Sequence, residues 1–458
     1  MTDPQHAPMA TERVGVLLWR YSLPAVVGMV VNALYNVVDR LYIGQGVGPD
    51  AMAGLTLTMP YMQVLAAFGM LIGIGSGALV SLRLGQGRQD EAEQVLGQAI
   101  ALIVLMALTV PTAAMLTLDA TLRAFGGTAG SIPHARAYLQ VILYGSVFTH
   151  LSFGLNHIMR AEGSARRAMK AMILGAIANL VLDPLFIFGF GLGIRGAAWA
   201  TVLAMMLSSL YVLRHFAGAH ARVRLRTTNL RIRPRLAAAV ISIGLSPFIL
   251  QLVASIVMIS YTRSFRQYAG DPQEALNTTA AIGIVHGVLL LLLMPIFGLN
   301  GGVQPIIGFN YGAQRYDRVR QAVLLAVQVA TIGCFAGWLF VQTAAPWIVR
   351  AFTSSRPLLD MGTPALRTMT LALPFVGLPI LATTYFQSIG RPSVAIVLSL
   401  LRQALLLIPL ILLLPPRFGI RGIWAAAPIS DTLALCAVVP LMLRELRHLE
   451  RRAQGDRQ

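Results

Sequence analysis

Apolar residues in this chain gather into runs longer than the buried helices or strands of a soluble protein, and short polar segments rich in arginine separate them. A helix that crosses a bilayer needs about 20 mostly apolar residues. Runs of that kind recur at Leu17 to Ile43, Leu55 to Leu82, Leu96 to Leu116, Ala135 to Ile158, Ala168 to Phe190 and Ala197 to Phe216. Six more follow at Leu236 to Tyr261, Thr278 to Phe309, Val319 to Pro346, Met361 to Phe386, Val394 to Leu414 and Ile423 to Leu443. The pattern predicts twelve transmembrane helices, six in each half. Pro24, Pro60, Pro247, Pro295 and Pro305 fall inside or near these runs, several of which exceed the minimum length, so kinked and tilted helices are expected.

The order of small residues is repeated. Gly85 in Leu84-Gly85-Gln86-Gly87-Arg88 matches Gly312 in Tyr311-Gly312-Ala313-Gln314-Arg315, and Gly163 matches Gly390, both 227 positions apart. Gly193-Ile194-Arg195-Gly196 returns as Gly419-Ile420-Arg421-Gly422 at an offset of 226, and Pro24 pairs with Pro247 at 223. Such long-period repetition signals two structural halves. An even number of helices per half gives both the same orientation, so a pseudo-twofold axis along the membrane normal is expected, with a site between the halves as in transporters. The expected divisions are an N-terminal six-helix lobe over 1–216, a cytoplasmic, partly ordered linker over 217–235, and a C-terminal six-helix lobe with a basic tail over 236–458.

Composition strengthens the membrane reading. The 458 residues are 56% hydrophobic and only 12% charged, whereas soluble domains carry about 25% charged residues. A net charge of +18 would suit nucleic acid, but the basic residues follow the loops. Arg160, Arg166, Arg167 and Lys170 share one side with the arginines between Arg214 and Arg235 if both termini are cytoplasmic. A basic inner face therefore accounts for the charge and sets the orientation, with no nucleic-acid partner expected. The first helix is expected to act as an uncleaved insertion signal in a multi-pass protein of a bacterial cytoplasmic membrane. Cys334 and Cys436 both fall in apolar runs and read as small buried hydrophobes.

Ionisable side chains at membrane depth cost at least a few kcal/mol, which makes each a functional candidate. Asp39, Asp183, Arg402 and Asp431 are the four; Glu162 and most other acids fall in loops, where solvation suffices. Asp39 and Asp183 lie at similar height, Asn179 is one helical turn from Asp183 on the same face, and Thr201 reaches the same depth. Tyr35 and Asn36 are a turn or less from Asp39. Two carboxyl groups with an amide and a hydroxyl could hold a hard cation through oxygen or share a proton; alternatively, Asp39 pairs with Arg40 and Asp183 ends a helix. Arg402 and Asp431 either neutralise each other or present Arg402 to a substrate cavity. Gln251 reads as a hydrogen-bonding core residue, and His150, His157 and His286 as packing residues without metal-ligand spacing. The methionines read chiefly as filler. Lys170, the one lysine, follows Met169, so no phosphate-cradling Gly-Lys-Ser/Thr motif exists, and no nucleophile elbow or His/Cys metal cluster is present. Neither direct ATP use nor enzymatic activity is expected, and no cofactor.

The chain resembles the multidrug and toxic compound extrusion (MATE) transporters of bacteria. The stretches that carry the resemblance are Asn32-Ala33-Leu34-Tyr35-Asn36-Val37-Val38-Asp39 with Ile43-Gly44, Gly85-Gln86-Gly87, Arg160-Ala161-Glu162-Gly163, Asn179-Leu180-Val181-Leu182-Asp183-Pro184 and the Gly-Ile-Arg-Gly pair. Pro295-Ile296-Phe297-Gly298-Leu299-Asn300 and Gln304-Pro305 also fit. The resemblance implies an all-helical, twelve-helix, two-lobed antiporter, a monomer, that exports organic, often cationic, compounds against sodium ions or protons. It implies a cation site at Asp39, Asn179, Asp183 and Thr201, with Tyr35 nearby and a first helix that bends at Pro24. No acid stands in the run Met361 to Phe386 and Gln251 is uncharged, so a second acidic site in the C-terminal lobe is not matched, which points to the DinF/MepA-like side of the family. A flippase for lipid-linked saccharides of the same superfamily, or a membrane-embedded lipid enzyme, would need a large basic cavity or a catalytic cluster, and neither is visible.

Overall fold

A computed structural model describes residues 8–47, 49–124, 130–219, 221–353 and 355–455. Secondary structure there is helical throughout. The first half comprises α1 (Pro8–Thr11), α2 (Val14–Gly46), α3 (Pro49–Gly85), α4 (Gln89–Ala124), α5 (Ser131–Tyr144), α6 (Ser146–Ala161), α7 (Ala165–Pro184) and α8 (Gly193–Ala217). The second comprises α9 (Pro234–Tyr268), α10 (Pro272–Gly312), α11 (Tyr316–Phe352), α12 (Arg356–Met369), α13 (Leu373–Ser388), α14 (Pro392–Leu400), α15 (Ile408–Leu413) and α16 (Pro415–Gly455). Two π-helical stretches, Leu185–Gly189 and Leu401–Leu407, extend α7 and join α14 to α15.

Among the described residues, ten helices are long and apolar enough to cross a membrane. An eleventh forms if α12 and α13, bent by 52° at their junction, are one span. The expected fourth span, Ala135 to Ile158, is divided at Gly145 between α5 and α6, pieces of 14 and 16 residues that are each too short to cross alone. At the break the chain lies close against α8. A Cβ at Gly145 would overlap the side chain of Val202 on α8, so the chain passes α8 there as bare backbone.

The duplicated glycines have matching physical roles. Gly193 and Gly419 open their turns at φ 55° and 56°, a region that side chains with a Cβ avoid. Gly85 on α3 packs on the backbone of Phe309, and Gly312 on α10 packs on the backbone of Leu82. Leu82 and Phe309 are themselves 227 positions apart. The two contacts are thus one contact seen from both halves.

The halves meet through α2 against α10 and α3 against α9, with α3 also reaching α10. Buried apolar residues form one cluster that crosses both halves near the basic loops, from Leu17, Leu84 and Leu96 to Phe309 and Tyr385. Toward the opposite end the core divides, into a cluster around Leu139 and Ile194 in the first half and one around Phe265 and Trp424 in the second. The apolar core is thus continuous across the halves at the basic end and divided at the other.

The segment between the halves lies against the first half. It contains a 3-10 turn at Thr227–Leu230, and side chains of the first half hold its backbone. Val223 N–H donates to Glu162 at 3.1 Å, Arg224 N–H to Glu93 at 3.3 Å and Arg233 N–H to Gln98 at 2.8 Å. Glu162, expected to be solvated, is therefore buried, with His215 as a second partner. Cys334 is buried as expected, whereas Cys436 is exposed on the outer face of α16, where an apolar run faces outward.

Candidate functional site

Four helices of the first half bring polar groups to one buried place. α2 contributes Asp39 and, one turn earlier, Tyr35. α7 contributes Asn179 and Asp183, four residues apart and hence on one face; α8 contributes Thr201. Asp39 is 7% exposed, Asn179 1% and Asp183 0%. Asn179 Nδ2 donates to Asp183 Oδ1 at 3.1 Å and to Thr201 Oγ1 at 3.4 Å. The Thr201 hydroxyl also reaches the Ala197 carbonyl at 3.0 Å. The Asp183 and Asp39 carboxyl groups stand within hydrogen-bonding reach of each other. Asn179 Oδ1 is buried without a donor among the described residues, while the Nδ2 end of the same amide faces Asp183 and Thr201.

Local sequence explains the shape of α7 at this point. Pro184 lacks an N–H, so the helix loses a bond directly after Asp183. The backbone continues as the π-helical turn Leu185–Gly189, a distortion common at functional positions.

Tyr138 on α5 completes the cluster and carried no signal in the sequence. It is 3% exposed, its hydroxyl bonds with Thr201, and it lies beside Asp39, Tyr35 and Asp183. An aromatic residue in an apolar run reads as core. Only the spatial meeting of α5 with α2, α7 and α8 marks it out.

The remaining candidates lie elsewhere. Arg402, within the second π-helical stretch, pairs with Asp431 of α16 at 3.0 Å, with 27% and 16% of the side chains exposed. Ser430 donates to the Arg402 carbonyl at 2.6 Å. Gln251 of α9 donates to Gln63 of α3 at 2.6 Å, a hydrogen bond between the halves, and Phe68 and Phe248 pack beside it at 5.0 Å between ring centroids. Pro24 is buried, and α2 runs unbroken through it from Val14 to Gly46. Its neighbours Ser22 and Val26 are the backbone against which Gly302 and Gly298 of α10 pack. The Asn36 side chain lies outside the described residues. His150 places both ring nitrogens on backbone carbonyls, of Ser146 at 2.7 Å and Leu65 at 3.0 Å, and so ties α6 to α3. His157 meets the buried Arg160 at 3.1 Å. Among the described residues no three His, Cys, Asp or Glu side chains gather as metal ligands.

Known proteins share this architecture. A family model described as MatE matches residues 24–185 and 247–413, one segment in each half. The "Multidrug export protein MepA" of Staphylococcus aureus (strain NCTC 8325 / PS 47) is 24% identical over 97% of this chain and 96% of its own length. A structure described as the "Outward-facing conformation of a multidrug resistance MATE family transporter of the MOP superfamily" superposes with a TM-score of 0.90 at 25% identity, covering 98% of this chain and 99% of that one. A "Crystal structure of MATE in the bent conformation" matches with a TM-score of 0.89 at 25% identity, over 96% and 97% of the two chains. With both halves matched in sequence and the whole architecture matched in space, the chain belongs to the MatE family of membrane transporters, which are not enzymes.

Proposed function

We propose that this protein exports organic compounds, often cationic, from the cytoplasm across a bacterial inner membrane, by antiport against protons at Asp39 and Asp183. The observation that carries this reading is the meeting of two buried carboxyl groups with Asn179, Thr201 and Tyr138 inside one half. Two carboxyl groups in contact at low dielectric cannot both hold a full charge, so one proton shared between them is the stable arrangement. Asn179 orients Asp183, Thr201 orients Asn179, and Tyr138 closes the site. A second proton would break the shared hydrogen bond, and a sodium ion in place of the proton would be held by both carboxylates, so either changes how the two groups sit. α2, which carries Asp39 and Tyr35 and also packs against α10, is the element that would transmit that change to the contact between the halves. Rigid-body rocking then exchanges the closed basic end for an open one.

Sodium is the second reading. The donor set is oxygen only, as a hard cation prefers, and Asn179 Oδ1 is an acceptor without a protein donor. In this orientation both termini and the arginine-rich segments lie in the cytoplasm, the open end faces outward, and the functional unit is a monomer. The Multidrug export protein MepA relatives support the substrate class. Dye efflux from proteoliposomes, driven separately by a pH gradient and a sodium gradient, tests the reading. Asp39→Asn and Asp183→Asn should each abolish coupled efflux; full coupling in both variants would refute the site.

A further inference from the structure

At the basic end, a cavity of about 640 Å³ opens between the start of α2 and the start of α11. It is lined by Arg13, Val16 and Trp19 on one side and by Arg318, Gln321 and Leu325 on the other. Gly15 also lines it, and a Cβ there would meet nothing within 4 Å. The cavity thus bridges the two halves and is distinct from the Asp39 and Asp183 cluster.

Its chemistry has two parts. Arg13 is exposed, and neither Arg13 nor Arg318 forms an ion pair among the described residues. Arg318 spends Nε on Asn310 Oδ1 at 3.0 Å and Nη2 on the carbonyls of Met9 and Glu12, which fix its guanidinium without neutralising it. Of the nearby acids, Glu12 pairs with Arg20, and Asp317 is exposed and outside the lining. α2 begins here without a side-chain cap, so its first N–H groups and its dipole add to the positive field; at α11 the N–H groups of Tyr316 and Arg318 are already taken by the carbonyls of Gln314 and Arg315. The second part is apolar. Val16 is 55% exposed and Trp19 67% exposed, on a helix face that begins a membrane span. A tryptophan there sits at headgroup level.

We propose that this cavity binds an anionic phospholipid of the leaflet that faces the basic loops. Its phosphodiester lies between Arg13 and Arg318, and its first acyl carbons run along Val16, Trp19 and Leu325. Basic pockets between spans on the cytoplasmic side suit such headgroups. Because one wall belongs to each half, the bound lipid ties α2 to α11 and favours the arrangement closed at the basic end. This holds whatever the exported compound or coupling ion.

The test is native mass spectrometry of the purified full chain, titrated with phosphatidylglycerol, with phosphatidylcholine of the same acyl chains, and with glycerol phosphate. Arg13→Gln removes one charge at an exposed position, and Gly15→Leu adds bulk to the lining without touching a charge. Retention of phosphatidylglycerol should exceed that of phosphatidylcholine by roughly tenfold, the value of one charge-assisted contact, and fall by a similar factor in Arg13→Gln. Gly15→Leu should lower it comparably. Thermal unfolding should rise with phosphatidylglycerol in the unsubstituted protein and much less in Arg13→Gln. Equal retention of the two lipids, or unchanged phosphatidylglycerol retention in Arg13→Gln, overturns the proposal. So does glycerol phosphate binding as strongly as the lipid, which would mark a site for free anions. Arg13→Gln decides alone if Gly15→Leu fails to fold.

Discussion

Replacing Gly85 and Gly312 by alanine should unlatch the basic end. A Cβ at Gly85 would lie 2.8 Å from the carbonyl carbon of Phe309, and one at Gly312 would lie 3.1 Å from that of Leu82, with the two carbonyl oxygens nearer still. At the carbonyl oxygens both fall short of ordinary contact by more than about 1 Å, and the obstacle is backbone, so a helix rather than a side chain must move. A gap of about 0.5–1 Å forfeits a quarter to a half of the dispersion energy along the contact. Overpacking of this sort costs about 1–3 kcal/mol per site. Only the closed arrangement bears that cost, so each alanine should shift the equilibrium away from closure by roughly 5- to 150-fold. The assay is maleimide labelling of Ser81→Cys in a background lacking Cys334 and Cys436. Ser81 is buried on α3 against Gly308 of α10 and becomes reachable only when the basic end opens. Labelling should accelerate in Gly85→Ala and more in the double variant, but not in Gly283→Ala, where nothing lies within 4 Å. Equal labelling rates in all of them would refute the reasoning.

Other substitutions probe the remaining features. Tyr138→Phe keeps the ring and removes the hydroxyl bonded to Thr201, worth about 0.5–1.5 kcal/mol; gradient-driven dye efflux should fall several-fold, and an unchanged rate would make Tyr138 mere packing. Arg402→Met should lower the thermal unfolding midpoint by stranding Asp431, at about 1–2 kcal/mol given the partial exposure of the pair. The double variant Arg402→Met with Asp431→Asn should recover most of that loss, and a double variant as unstable as the single would argue against simple charge compensation. Gly419→Ala, at φ 56° and ψ −145°, should cost about 1–3 kcal/mol in the same measurement.

The sequence exposed those features whose cost in a bilayer is high. Asp39 and Asp183 stand out because carboxyl groups are rare in apolar runs, and Asn179 and Thr201 follow from helical spacing and depth. Tyr138 did not, because its hydroxyl gains meaning only when α5 meets α8. The same limit hid the break at Gly145: the apolar run continues through it, and the neighbour that leaves no room for a side chain there is 57 positions away, Val202. The π-helical stretches and the linker's contacts with the first half were equally opaque. Glu162, Glu93 and Gln98 look like surface residues until the linker backbone is laid across them. Glycine repetition was the most legible architectural signal, since close approach and positive φ both exclude side chains and so leave a mark in a single sequence.

The shared apolar cluster at the basic end carries a further consequence. It is the core that joins the halves, so it contributes to the durability of the molecule, yet a transport cycle must take part of it apart. Stability and turnover therefore draw on the same residues, among them Leu84, Val303 and Phe309. Changes that tighten this packing would raise thermal tolerance and slow the pump together, a trade-off between endurance and speed. The separate clusters at the other end, around Leu139 and Phe265, stay within one half, and they are where the molecule could be made hardier without being made slower.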